Sequence, residues 1–378
     1  MPSLRKIFWE FLKLGLSSFG GPAMVAFIRD LAVNRQKWVP KETFNEGVAI
    51  AQAVPGATAM QMATFVGLKT RGIIGGLVSF LGFSLPAFVL MMLLSWFYKE
   101  NHTLTIVHNM FQGLRLAVVA IVGKAFLDFF LPISRKAKEI LIAALSFVLF
   151  FEGVNPFLII FSCFLLSYLI FTEVGKFKHQ ASKVNLKKIL GLITVPFVFL
   201  GIFYLINPKY FNLSQVMMKV DAFAFGGGYA CLPLMLHQVV DKLHWMTKEV
   251  FMDGIALGQV TPGPIVITAT FVGFYLYGII GGIIATISIF TPSFIIISIA
   301  SELQERIRYS TWFLRAKRGL IASFSGLLLF AELKFLGGVH WTPLSAIIAT
   351  IFLVALLKRV NILWVVFSAV IFSLFIHF

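Results

Sequence analysis

Twice in this chain a phenylalanine is followed by a run of glycine, in Phe19-Gly20-Gly21-Pro22 and in Phe225-Gly226-Gly227-Gly228. Twice a glutamine stands about one helical turn before a proline-glycine pair: Gln52 before Pro55-Gly56, with Thr58 just beyond, and Gln259 before Pro262-Gly263-Pro264. Proline removes a backbone donor and glycine frees the backbone, so each motif ends one helix and lets another begin. A helix start carries unpaired N–H groups and about half a positive charge. Together these form an anion site that needs no side-chain base. Four such starts meeting at one place could supply up to about +2, matching a tetrahedral dianion, although helix C-termini pointing the same way would oppose them. The competing explanation is that glycine only lets helices pack closely in lipid. That explanation is preferred for Gly75-Gly76 and Gly281-Gly282, which sit inside uninterrupted apolar runs.

Polar side chains at matched positions extend the pattern. Lys13 and Lys219 each lie six residues before the phenylalanine of Phe-Gly-Gly and are candidates to complement an anion's charge, against simple snorkelling toward headgroups. Gln52 and Gln259 can donate amide N–H groups to an oxyanion. Glu46 and Asp253, nine residues before the apex prolines, are candidates to carry a coupling proton if burial raises their affinity for it. The alternative is a solvated interfacial carboxylate. Arg115 and Arg318 also match, but Arg318 falls in a basic cluster that reads as a membrane boundary, and Lys124 with Asp128 reads as a local helical pair. The seven histidines have no zinc-type spacing, the two cysteines Cys163 and Cys231 lie in apolar stretches, and no nucleophile triad or phosphate loop is present. The chain therefore reads as a non-enzyme without metal or cofactor.

The elements that must hold these residues follow from composition. Of 378 residues, 59% are hydrophobic and 13% charged, about half the charge of a soluble domain. At about 20 apolar residues per spanning helix, the expectation is an all-α polytopic membrane protein with no sizeable aqueous domain. The 32 basic against 16 acidic residues, net +16, collect in short segments between apolar runs, as orientation signals do. Nucleic acid is therefore not an expected partner.

The motifs recur at a constant offset of 206 or 207 residues: Trp38 returns as Trp245, Lys41-Glu42 as Lys248-Glu249, and Ala63-Thr64-Phe65-Val66-Gly67 as Ala269-Thr270-Phe271-Val272-Gly273. Two homologous repeats are expected, 1–175 and 207–378, joined by a cytoplasmic loop and a connecting helix over 176–206, the apolar part of which is 189–206. In each repeat the front segments are broken (4–34 at Gly20-Gly21-Pro22, 41–69 at Pro55-Gly56). Uninterrupted spans follow at 73–98, 103–131, 140–151 and 156–171, with counterparts at 279–300, 312–331, 343–357 and 362–376. Basic loops fall one connection later in the first repeat than in the second, so the repeats are expected to be inverted in topology, an architecture common among secondary transporters. Each broken segment could be a bent span or a re-entrant hairpin. The net +2 of the connection from Arg29 to Glu42 favours the hairpin.

Phe19-Gly20-Gly21-Pro22, the stretch from Trp38 to Pro55-Gly56, and their second copies through Phe225-Gly226-Gly227-Gly228-Tyr229-Ala230 and Pro262-Gly263-Pro264 resemble the chromate ion transporter family in its long, two-domain form. The resemblance covers nearly the whole chain. It departs at Pro55-Gly56-Ala57, where a second proline is more usual, and after Pro22, where Ala23-Met24-Val25 lacks a common histidine. It implies secondary active transport of small inorganic oxyanions, chromate with sulfate as competitor, by a multi-pass protein of the prokaryotic inner (plasma) membrane, with a homodimer as an option. A sulfate transporter of the same fold and a passive anion channel are the alternatives. An enzyme acting on a lipid phosphate would need an acid/base or metal cluster that the sequence does not contain.

Overall fold

The computed structural model describes residues 1–19, 23–172, 186–304 and 310–375, and every regular element among them is helical. The broken front of the first repeat gives α1 (Leu4–Ser17), α2 (Ala23–Arg29) continued by a wider π-type turn (Asp30–Arg35), α3 (Lys41–Ala51) and α4 (Thr58–Asn101). The uninterrupted rear gives α5 (Thr105–Phe130), α6 (Ala137–Phe151) and α7 (Pro156–Ile170). The expected connecting segment is α8 (Leu186–Ile206). The second copy then runs through α9 (Pro208–Ala222), α10 (Cys231–Leu236) with its π-type turn (His237–Lys242), α11 (Lys248–Val260), α12 (Thr268–Glu302), α13 (Thr311–Leu336), α14 (Pro343–Leu357) and α15 (Ile362–Phe375).

The repeats match in backbone detail. Lys37 and His244 end the two π-type turns with φ of 51° and 50°, and Gly72 and Gly278 have φ of 65° and 63°. At those glycines α4 and α12 each reverse direction. Ser79 Oγ donates to the Ala63 carbonyl at 2.8 Å, although sixteen residues of straight helix would separate them by about 24 Å. Thr270 and Thr286 hydroxyls meet in the same way at 2.6 Å. The turn needs a residue tolerant of the left-handed region, and space for a Cβ is not the issue, since nothing lies within 4 Å of either position. Gly67 faces Gly75, and Gly273 faces Gly281, so closely that a side chain on any of them would strike backbone of the opposite arm. Gly75 and Gly281 are thus packing residues.

The chain forms two compact units, and each draws on both repeats. The first comprises Met1–Leu93, Lys176–Cys231 and Thr261–Thr311; the second comprises Leu94–Gly175, Leu232–Val260 and Trp312–Phe378. In the first, the second arms of α4 and α12 run antiparallel. Phe80 packs against Phe290 and Phe294, with ring centroids 5.9 and 5.5 Å apart, and Lys69, just before the turn that starts one second arm, reaches Gln304 past the end of the other at 3.2 Å. In the second unit, Gln112 and Arg115 of α5 lie beside Gly338 and His340 just beyond α13. Arg318, early in α13, donates to Glu139, which follows the end of α5. Equivalent helices therefore point in opposite directions, as inverted repeats require. Most of α8 is exposed apolar surface, including Phe197, Val198 and Leu205, the surface a lipid-facing helix presents.

Candidate functional site

The first unit contains a cavity of about 470 Å³ walled by the start of α2 (Met24, Val25, Ala26) and Arg29, by one face of α3, by the start of α4 (Ala57, Thr58, Ala59), and by the loops Gly226–Tyr229 and Pro264-Ile265. On α3 the lining residues Phe44, Val48 and Gln52 are spaced by four, so they share a face, and Asn45 sits beside them. Residues at or beside three of the breaks read from sequence (Ala57-Thr58, Gly226–Gly228 and Pro264) border this one space. Glycine is needed at Gly227, whose φ is +105°, and Thr58 Oγ1 lies 3.2 Å from where its Cβ would stand. A short 3₁₀ turn (Gly228–Ala230) follows on one side, and another (Ile265–Ile267) leads into α12.

Electrostatically the wall is one-sided. Among the described residues Arg29 is its one cation, no aspartate or glutamate lines it, and the Arg29 guanidinium has no ion-pair partner. The start of α4 adds the partial positive charge of a helix N-terminus, and Gln52, Asn45 and Thr58 add neutral donors. No His/Cys/Asp/Glu cluster able to hold a metal occurs among the described residues.

Of the residues singled out from sequence, Gln52, Thr58, Gly226, Gly227, Gly228 and Pro264 are in the wall. Pro55 and Gly56 stand behind it: the Pro55 carbonyl accepts from Gln61 Nε2 at 2.5 Å, and the Gly56 N–H donates to the Ala224 carbonyl at 2.9 Å. Pro262 and Gly263 form the equivalent turn, with the Gly263 N–H on the Ser18 carbonyl at 2.9 Å. Phe19 and Phe225 flank these carbonyls in sequence and are not wall residues. Gly20, Gly21 and Pro22 lie outside the described residues.

The matched polar pairs do not share environments. Lys13 is exposed and 3.5 Å from Glu10, whereas Lys219 is half-buried on α9. Gln259 is buried on α11, its Nε2 without a partner among the described residues. Glu46 accepts from Gln304 Nε2 at 2.6 Å. Asp253, 1% exposed, accepts from Arg115 Nε and Nη2 at 2.7 and 2.8 Å and from the Tyr98 hydroxyl at 2.9 Å. Arg29 and Asn45 were not singled out. Their counterparts, Leu236 and Met252, are apolar, so a search for polar residues present in both repeats passes over them.

A family profile described as chromate transporter matches the chain twice, over residues 5–168 and 211–374. An uncharacterized transporter of Methanocaldococcus jannaschii is 41% identical over 371 residues, covering 97% of this chain and 92% of the relative. A probable chromate transport protein of Synechococcus elongatus is 30% identical over 303 residues, 78% of this chain and 75% of its own. A chromate transport protein of Pseudomonas aeruginosa is 30% identical over 308 residues, 77% and 71% respectively. No solved structure matches the chain.

Proposed function

Because the chain belongs to the chromate transporter family, we propose that it is a secondary active transporter of small tetrahedral oxyanions, chromate foremost and sulfate as a competitor, and that the cavity of the first unit is where the anion binds. The observation that carries this reading is the wall itself: among the described residues one guanidinium, no carboxylate, the start of α4, and the Gly226–Tyr229 and Pro264-Ile265 loops of the other repeat. A cavity of about 470 Å³ is larger than one oxyanion and would hold several waters of about 30 Å³ with it. Arg29 would supply a full positive charge and the start of α4 about half of one, the backbone at Gly226-Gly227 would allow close approach, and Gln52, Asn45 and Thr58 would donate hydrogen bonds. In the bilayer, α1 with α2 and α3 with the first arm of α4 act as re-entrant hairpins. Two contacts support this: Trp38 beyond α2 returns to Phe11 of α1, with ring centroids 6.4 Å apart, and Gly47 of α3 lies against the Phe65 ring. The inverted repeats then expose the site to either face of a prokaryotic inner membrane in turn.

The test is flux into proteoliposomes of radiolabelled chromate and sulfate under imposed pH and sodium gradients. Uphill chromate accumulation driven by one gradient, inhibited by sulfate, is the expected result. Purely downhill flux under every gradient would make the protein a channel, and sulfate accumulation indifferent to chromate would make sulfate the cargo.

A further inference from the structure

Behind the cavity wall lies a carboxylate that no role described so far uses. Asp221 of α9 is 0% exposed. Its Oδ2 accepts from the Ser293 backbone N–H at 2.8 Å and from the Ser293 hydroxyl at 2.7 Å. Ser293 Oγ in turn accepts from the backbone N–H of the wall residue Ala57 at 2.8 Å. Asp221 Oδ1 has no hydrogen-bond partner among the described residues. Among the described residues no cation offsets the charge: α12 has no ionisable residue between Tyr277 and Glu302, α8 has none between Lys188 and Tyr204, Lys219 is the nearest on α9 itself, and the first turn of α4 contributes the neutral amide of Gln61. The thiol of Cys231, buried at the start of α10, lies close by.

The other repeat shows what this arrangement replaces. The counterparts of Ala57, Ser293 and Asp221 are Pro264, Ala87 and Gly15. Packing is preserved, since a Cβ on Gly263 would meet the Ala87 Cβ at 2.8 Å, as one on Gly56 would meet Ser293 Oγ. Proline has no N–H to satisfy, so the second break needs neither hydroxyl nor acid. The first break, with Ala57, needs an acceptor, and Ser293 supplies it. It does not need a charge behind the serine. Hydroxyls on α12 find acceptors in their own helix, as Thr291 does at Ile287 (2.6 Å) and Ser298 at Phe294 (2.7 Å), and an amide oxygen would accept both bonds from Ser293 equally well. An unpaired buried carboxylate is costly, and Oδ1, lacking a donor, is where a proton would sit.

We infer that Asp221 is a protonation site linked to occupancy of the cavity through Ser293 and Ala57, a reading that rests on the cavity's being the anion site. A dianion at the wall repels an ionised Asp221 two hydrogen bonds away, across buried protein in which charges are weakly screened. Anion entry therefore draws one proton from water onto Oδ1, and anion release returns it. No bond within the anion changes. By reciprocity, acidification tightens anion binding. Asp221 acts through Ser293 and does not touch the anion, so it is a positioning residue that also titrates.

The experiment compares wild type with Asp221→Asn, which keeps an acceptor for Ser293 but cannot titrate. A triple variant that copies the other break (Ala57→Pro, Ser293→Ala, Asp221→Gly) serves where the single variant fails to fold. Infrared spectra between about pH 5 and pH 9 are expected to show a buried carboxyl C=O band in wild type that diminishes as pH rises, grows on adding chromate, and is missing from both variants. Chromate Kd in wild type is expected to rise by up to about tenfold per pH unit relative to either variant; chromate's own protonation is common to all and cancels in the ratio. A band that persists unchanged across the range, or none that depends on Asp221, overturns the inference. So does the same pH dependence of Kd in wild type and variants. Failure of chromate to bind wild type at any pH overturns the anion reading instead, and the infrared titration still decides whether Asp221 takes up a proton.

Discussion

The backbone N–H of Gly56 donates to the carbonyl of Ala224 across 2.9 Å, and the equivalent bond, Gly263 to Ser18, has the same length. Each break frees backbone groups that a bilayer cannot satisfy, and each finds its acceptor at the broken helix end of the other repeat. Neither repeat completes its own break. This reciprocity explains why residues about 206 positions apart are assembled into one compact unit with a shared cavity.

Both glycines are therefore expected to resist substitution. At φ of 121° and 118° a side chain is strained, and a Cβ on Gly56 would also strike Ser293 Oγ and Gln61 Nε2. Gly56→Val and Gly263→Val should each lower stability by about 2–4 kcal/mol. Gly72→Ala, at φ of 65° but in open space, should cost only about 1 kcal/mol. Thermal unfolding in detergent measures the difference; equal losses at Gly56 and Gly72 would contradict the account.

Arg29→Gln should weaken chromate binding about tenfold, roughly 1.4 kcal/mol, with unchanged unfolding temperature, because the side chain is exposed and makes no ion pair among the described residues. Arg29→Lys should retain part of the affinity. Equilibrium binding checks both, and wild-type affinity in the glutamine variant would remove the cavity from consideration.

Gly227→Val should abolish anion binding in protein that still inserts, since the side chain would meet Thr58 Oγ1 and fill the approach to the backbone. Binding by the valine variant at wild-type affinity would show that the loop is a packing device.

The Arg115–Asp253 pair should be a matter of stability. Removing one partner leaves a buried charge uncompensated, so Arg115→Met should destabilise the protein by about 3–5 kcal/mol, and Arg115→Met with Asp253→Leu should recover most of that loss. A double variant no more stable than the single would show that the pair does more than neutralise itself.

Inverted orientation should place the turn at Arg71 and its counterpart at Tyr277 on opposite faces of the membrane. Single cysteines at those positions, on a background with Cys163 and Cys231 replaced, should react with an impermeant reagent from opposite sides. The basic loop near Lys183 and the end near His377, which are expected to be cytoplasmic and external, lie outside the described residues. Labelling of 71 and 277 from one side would overturn the inversion.

What could be read from the sequence were features set locally or by repetition. Apolar content of 59% demands a bilayer. Proline beside glycine interrupts a helix, and the ends observed at Ser17 and Ala51 precede Gly20-Gly21-Pro22 and Pro55-Gly56 as expected, whereas the lone Pro86, Pro196 and Pro292 stand inside helices. The constant offset exposed two copies, and basic loops predicted their opposite sense. Which polar residues would meet was not local. Arg29 and Asn45 face the cavity with apolar counterparts, Leu236 and Met252, in the other repeat, so matching the copies could not select them. Asp253 meets Arg115 across 138 residues, and Asp221 meets Ser293 across 72. Charges in a chain look alike whether they end against water, a guanidinium or a serine hydroxyl; only the packing of α9 on α12, and of α11 on α5, removes the water and assigns each carboxylate its partner.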